Sequence, residues 1–169
     1  MDRSQWPKWL DAYSGQTTSQ LLGLEHEFRV ASLILGFEQA IDQKAAREGN
    51  DHLTKEEFMV LAIEALEREV NNGGYRQFFI NSSRQYTPTI VDSLLRIGCP
   101  RTAEITRMAI DALKLSNLTG DQIDVAMAKA DRERDKTLNA CDKLYFSEAE
   151  PVADRLFAFI KAHQNLFPL

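Results

Sequence analysis

Apolar residues recur along this chain at helical spacing, and no run alternates long enough to suggest a strand. The first seventeen residues carry little periodicity and read as an N-terminal arm, with Trp6, Trp9 and Tyr13 as possible anchors. Thr17-Thr18-Ser19-Gln20 then offers caps for a long first helix over roughly residues 19–48. Leu24, Phe28, Ala31 and Leu35 form one of its stripes, and Val30, Ile34, Phe37 and Ile41 form a neighbouring one. Two adjacent stripes make a wide apolar face, so this helix is expected to be central. Gly49-Asn50-Asp51 ends it.

The next helix has the clearest start. Thr54 and Glu57 form a T-x-x-E capping box, flanked by Leu53 and Phe58, in which each side chain satisfies a backbone N–H of the first turn. Phe58, Leu61, Ala62, Ala65 and Leu66 follow on one face, and the helix is expected to stop at Asn71-Asn72-Gly73-Gly74, where Gly or Asn takes the left-handed conformation. Thr87-Pro88 opens a further helix that stops at Gly98, and Pro100 opens another whose face is Ile105, Met108, Ala109, Ala112 and Leu113. From Asp121 the pattern is helical but polar, through Ile123, Met127 and Ala130 to Leu138, Cys141, Leu144 and Tyr145. Glu150-Pro151 opens the last helix. The expected architecture is all-α, one compact domain of six to eight helices over residues 18–169, without internal repeats.

Composition narrows the function classes. The 169 residues include 25 acids and 20 bases, a net charge of −5, which argues against a general nucleic-acid binder needing a basic face. No apolar run approaches the ~18–20 residues needed to span a membrane. The N-terminus has no apolar stretch of signal-peptide length, so a cytoplasmic location is expected, with Cys99 and Cys141 free and at least partly buried. No zinc-protease, di-iron, P-loop or dinucleotide-binding pattern occurs. The three histidines, His26, His52 and His163, are far apart, so neither a metal nor a cofactor is expected. No nucleophile stands beside a base, and the chain reads as non-catalytic.

The unusual segment runs from Glu69 to Asn81. Glu69, Asn72, Gln77 and Asn81 fall close together among Tyr75, Phe78 and Phe79, around two adjacent Asn (Asn71, Asn72) and two adjacent Gly (Gly73, Gly74). One reading is structural: the amides satisfy backbone groups freed at two helix ends and the rings fill the core. The other is a polar pocket walled by aromatics, suited to a small ligand or a reaction.

This segment also carries a family resemblance. The elements are acids at Glu67 and Glu69, the turn Asn71 to Phe79, Asn81-Ser82, a helix from Pro88 to Gly98, and an Ala- and Leu-rich helix from Pro100 to Leu115. In that order they resemble the bacterial DNA-mimic protein family, with the best match over 53–169. The resemblance implies an all-helical, dimeric protein. It also implies surface carboxylates that stand in for DNA phosphates on the DNA-binding face of a transcriptional regulator. The acidic balance and the lack of a membrane-length apolar run separately lead us to expect no direct contact to nucleic acid or membrane.

Charge sets a condition on that role. B-DNA carries one charge per about 1.7 Å of axis, whereas a dimer of this chain would carry only twice −5. Mimicry therefore requires the acids to be segregated. Glu57, Glu64 and Glu67 are compatible with one helix face, where neighbouring carboxylates sit about 5–6 Å apart. Asp121, Asp124, Asp131 and Asp135 form a second expected row, interleaved by Lys129, Arg132, Arg134 and Lys136. These seven acids are the expected partner-binding face.

Overall fold

The computed structural model describes residues 7–169. Trp6, one of the three expected anchors, lies outside them. Among the described residues there are eight α-helices: α1 (Thr18–Gly23), α2 (Val30–Glu48), α3 (Lys55–Ile80), α4 (Thr87–Arg96), α5 (Pro100–Asp111), α6 (Gly120–Ala128), α7 (Arg132–Glu148) and α8 (Val152–Ala162). The only β-type pairing among them is an isolated bridge between Lys8 and Phe28. The fold is all-α, as the periodicity predicts. None of the described helices is long and apolar enough to cross a membrane. Backbone contacts gather the chain into two compact units, one of the described residues up to Leu61 with Ala153–Leu169, the other of Ala62–Val152.

In the first unit the expected long helix is two helices. Thr17 and Gln20 form a capping box that starts α1. The chain then leaves helical geometry before α2, because the arm claims its backbone: the Lys8 N–H donates to Glu27 O (2.8 Å) and the Arg29 N–H donates to Lys8 O (2.8 Å). The arm continues along α2 of its own chain. The Leu10 N–H donates to Ser32 Oγ and the Tyr13 N–H to Gln39 Oε1, while Trp9 remains half exposed. Gly36 permits this approach, since a Cβ there would stand 3.1 Å from a Leu10 methyl. Of the two expected stripes, Ile34, Phe37 and Ile41 are fully buried, whereas Leu24, Phe28 and Leu35 are half-buried and Ala31 is exposed.

The capping box at the start of α3 is present and carries an additional charge. Glu57 Oε2 accepts from the Thr54 N–H (2.9 Å), and Thr54 Oγ1 accepts from the Glu57 N–H (3.0 Å). The same carboxylate receives Lys44 Nζ at 2.8 and 3.0 Å. Glu57 is wholly buried and Lys44 nearly so. Around this pair the chain's last residues are tied down: Lys44 Nζ also donates to Pro168 O, Thr54 Oγ1 to Leu166 O and Thr18 Oγ1 to Phe167 O.

The second unit holds the rest of α3 and α4 to α7. Gly98, at φ +80°, ends α4, and α5 packs against both α4 and α7. The apolar face of α5 departs from expectation. Ile105 and Ala109 are buried, Met108 is partly exposed, and Thr102 and Thr106 occupy the core instead. Glu150 explains the first threonine: its carboxylate receives the Arg101 and Thr102 N–H groups and the Thr102 hydroxyl. This covers the orphan donors at the start of α5. The continuous polar helix expected from Asp121 is also two helices. Asp131 caps α7 through the Arg134 N–H (2.9 Å), and the buried Arg134 guanidinium donates to Ala126 O (2.6 Å) at the end of α6. Cys99 and Cys141 are free and buried.

Removing one partner of a buried ion pair leaves the other charge stranded, at a cost of about 3–5 kcal/mol. Lys44→Met is therefore expected to lower the urea-unfolding free energy by roughly that amount, and Lys44→Met/Glu57→Gln by less than the sum of the two single changes. Additive losses would show that the two groups do not act as a pair.

Candidate functional site

The expected stop at the Asn-Asn-Gly-Gly turn is a kink within α3. Gly73 (φ −154°, ψ 20°) and Gly74 (φ +74°, ψ −175°) leave helical geometry, and the helix resumes at Tyr75. The reason lies across the unit on α7. Asp142 Oδ1 accepts the Tyr75 N–H at 2.8 Å, and a Cβ on Gly74 would lie 2.2 Å from the other oxygen of that carboxylate. Gly73 is crowded differently, since its Cβ would meet the Gln77 side-chain oxygen at 2.1 Å. Restarting the helix turns three rings inward, and Tyr75, Phe78 and Phe79 are all fully buried. The Tyr75 hydroxyl lies 2.8 Å from Thr106 Oγ1, which donates to Thr102 O, so Tyr75 donates to Thr106. Burial pushes the Tyr75 phenol well above its ordinary pKa.

The polar side chains of the segment converge on Glu69. Its carboxylate receives Gln77 Nε2 (2.7 Å), Asn81 Nδ2 (2.8 Å) and Ser83 Oγ (2.8 Å). Burial alone would push this carboxyl's pKa up, but the three donors, with Arg68, outweigh it and hold the carboxyl below its usual range. Asn71 Nδ2 donates to the Glu67 carbonyl (2.7 Å), and Asn72 is exposed. The Glu69–Asn81 segment is thus a strut whose hydrogen-bonding capacity points at itself. Glu69 accounts for Gln77 and Asn81 among the side chains that suggested a ligand pocket, and Asn72 stands outside its cluster.

The expected acidic row on α3 is not a surface. Glu57 is wholly buried against Lys44, Glu64 is buried, and Glu67 is half-buried. Desolvation pushes the Glu67 carboxyl up to about 7, so near neutrality it is partly uncharged. The second row divides. Asp121 and Asp124 are exposed on α6, with Asp124 3.6 Å from Arg84. Asp131 is committed to capping α7, and Asp135 is held by Arg134 (2.8 Å) and Arg76 (3.4 Å). Among the described residues five carboxylates, Glu38, Glu56, Glu57, Glu64 and Glu69, are buried with two cations, Lys44 and Arg134. Most of the net −5 is therefore internal.

Asp142 and Glu150, which position the kink and the start of α5, escape sequence reasoning. Each acts on a backbone far away in the chain: 67 residues separate Asp142 from Tyr75 and 48 separate Glu150 from Thr102. The paired glycines signal a close approach but not its source. Among the described residues no group of three His, Cys, Asp or Glu side chains is placed to hold a metal ion.

The described residues define an all-helical protein, and comparison with protein families specifies it further: the profile of the DMP19-like protein family matches residues 51–163. The chain belongs to the DMP19-like family, a family of DNA-mimic proteins. The match takes in the kink, the Glu69 cluster and the capped start of α5, and leaves out the arm, α1 and α2. Comparison with curated proteins and with solved structures found no match.

Gly74→Ala places a non-Gly residue at positive φ, costing about 1–2 kcal/mol, and adds the collision with Asp142. It is expected to destabilise more than Gly73→Ala, whose obstacle is the end of a flexible side chain. Asp142→Ala is expected to reduce the penalty of Gly74→Ala, which a double-mutant cycle by urea unfolding would read; strict additivity would contradict the contact.

The acids also predict opposite pH slopes. Glu67, raised in the fold, binds its proton more tightly there than in the unfolded chain, so its contribution is full below about 4.5 and is lost as pH rises toward about 7. Glu69, depressed in the fold, contributes above its unfolded pKa, and that contribution is lost as pH falls through its folded one. Glu67→Gln is expected to raise stability at pH 8 by about 1–2 kcal/mol, the full shift being discounted for partial exposure, and by nothing at pH 4. An equal gain at both pH values would rule out titration as the cause.

Proposed function

We propose that this chain is a non-catalytic protein-binding module that occupies a DNA-binding transcriptional regulator, with the outer face of α6 as part of the contact. The observation that carries the placement is the composition of that face. Ile123 and Met127 are buried, while Asp121, Asp124 and Val125 point out and Val125 is 57% exposed. Two carboxylates beside an uncovered apolar side chain suit a basic protein surface: the acids meet cations that would otherwise hold phosphates, and the valine supplies apolar contact that phosphates do not. Family membership supports the target class.

The charge distribution shapes the proposal. With most of the acidic excess internal, the surface does not reproduce the dense, regular charge of a duplex. Recognition in this reading is local, a few carboxylates placed against a few cations. A homodimer, expected from the resemblance, would present the face twice.

The test is capture of DNA-binding proteins from native lysate by the immobilised chain, followed by elution with duplex DNA and with about 0.5 M salt, where the Debye length falls to about 4 Å. Asp121→Lys/Asp124→Lys is expected to abolish capture of a regulator that both treatments release. Retention of that regulator by the charge-reversed protein would sink the assignment of α6.

A further inference from the structure

The α7 segment Arg132–Lys136 looks evenly mixed in sign, yet its charges are not equally available. The helix buries Arg134, Leu138, Cys141 and Tyr145, spaced at i, i+4, i+7 and i+11, which fixes one face inward. Asp135 is bound by Arg134 and Arg76, Asp142 by the Tyr75 N–H, and Glu148 by Arg101. Of its carboxylates only Glu133, exposed beside Arg132, has no such partner. Asp131, just before the helix, is its cap.

The opposite face carries Arg132, Lys136, Asn139, Lys143 and Phe146, all exposed. They recur at i, i+4, i+7, i+11 and i+14 and so form one row, about 21 Å long at 1.5 Å per residue. No ion pair among the described residues engages Arg132, Lys136 or Lys143. Phe146, 63% exposed, ends the row and is the most exposed large apolar side chain described. Arg132, Lys136, Asn139, Ala140 and Lys143, with Asp135 at the margin, share this open stretch of helix surface.

We infer that this outer face of α7 docks an acidic segment of a partner protein, with carboxylates along the row and a large apolar side chain on Phe146. Charge complementarity selects an anionic occupant, because three cations without partners on a net-acidic chain favour binding only where negative charge arrives. A polyanionic nucleic acid fits less well. The chain's overall −5 repels it, three cations are few against its charge density, and single-strand binders stack successive bases on several aromatics rather than one. A second copy of the same face fits worst. Two such helices packed antiparallel about Asn139 and Ala140 set Lys136 opposite the other copy's Lys143, and packed parallel they set each lysine opposite itself.

This surface is independent of the α6 reading and of opposite sign, so the two can fail separately. The probe is a fluorescein-labelled helical peptide of about fourteen residues, with Glu at third and fourth positions and a Leu-Phe pair at one end, titrated by anisotropy at low ionic strength. Arg132→Glu/Lys136→Glu/Lys143→Glu is expected to weaken binding by more than about tenfold, and Phe146→Ser by about fivefold. Asp121→Lys/Asp124→Lys should leave binding unchanged. All the altered side chains are exposed, and circular dichroism checks that each variant is folded. The inference is overturned if the wild-type chain ignores the peptide, if the α7 charge reversal does not weaken binding, or if a duplex DNA of equal charge binds more tightly. It is equally overturned if sedimentation shows that the reversal converts a dimer to a monomer, since the face would then belong to a second copy.

Discussion

The hydrogen bond from the Tyr75 amide to the Asp142 carboxylate is the constraint on which the second unit depends. It forms only because Gly74 has no side chain and adopts a positive φ, letting α7 place a carboxylate where a Cβ would otherwise sit. The bond breaks α3 and restarts it, and the restart directs Tyr75, Phe78 and Phe79 into the core. Tyr75 then reaches Thr106, so a threonine becomes acceptable inside α5 where the apolar pattern calls for a hydrophobe. The freed polar groups beyond the kink find Glu69. A single backbone donor thus connects α3, α5 and α7.

The internal carboxylates follow a common logic. A buried charge is tolerated when it is paired or receives several donors. Glu57 has a lysine and a capped N-terminus, and Glu69 has three side-chain donors. Glu67 has desolvation without such donors, and its pKa rises instead. The acids of α3 are used for architecture, which is why net charge overstates how acidic the outside is.

How much of this was legible beforehand depends on the range of each interaction. The Thr54–Glu57 box, the stop at Gly98 and the Pro100 start rest on residues within a few positions of one another and appear in the structure, whereas the stop expected at Gly73-Gly74 is a kink inside α3. The break between α1 and α2 was not legible, because backbone partners at Lys8 cause it and no residue of Leu24–Arg29 announces it. The break before α7 was half legible: Asp131 is a good cap, but Arg134 closing on Ala126 looks like one more surface charge. At the candidate site the glycine turn stood out, and its partner Asp142 did not. The expected acid rows failed at Glu57, Glu64, Asp131 and Asp135 because helical spacing gives a shared face without saying whether that face meets solvent.

That last distinction bears on what the surface can recognise. Within the second unit Asp135, Asp142 and Glu148 of α7 are engaged by Arg134, Tyr75 and Arg101, leaving Glu133 as its one exposed carboxylate without such a partner, while its lysines stay out; on α6 the carboxylates stay out and Ile123 and Met127 go in. Two successive helices therefore present opposite signs, although their summed sequence is only mildly acidic. Each outer face also keeps one uncovered apolar side chain, Val125 or Phe146. Surface charge alone yields long-range attraction with little selectivity, whereas an apolar anchor beside it sets register and distance. The pairing of charge with anchor, repeated with the sign reversed, distinguishes this surface from a uniform imitation of a phosphate backbone.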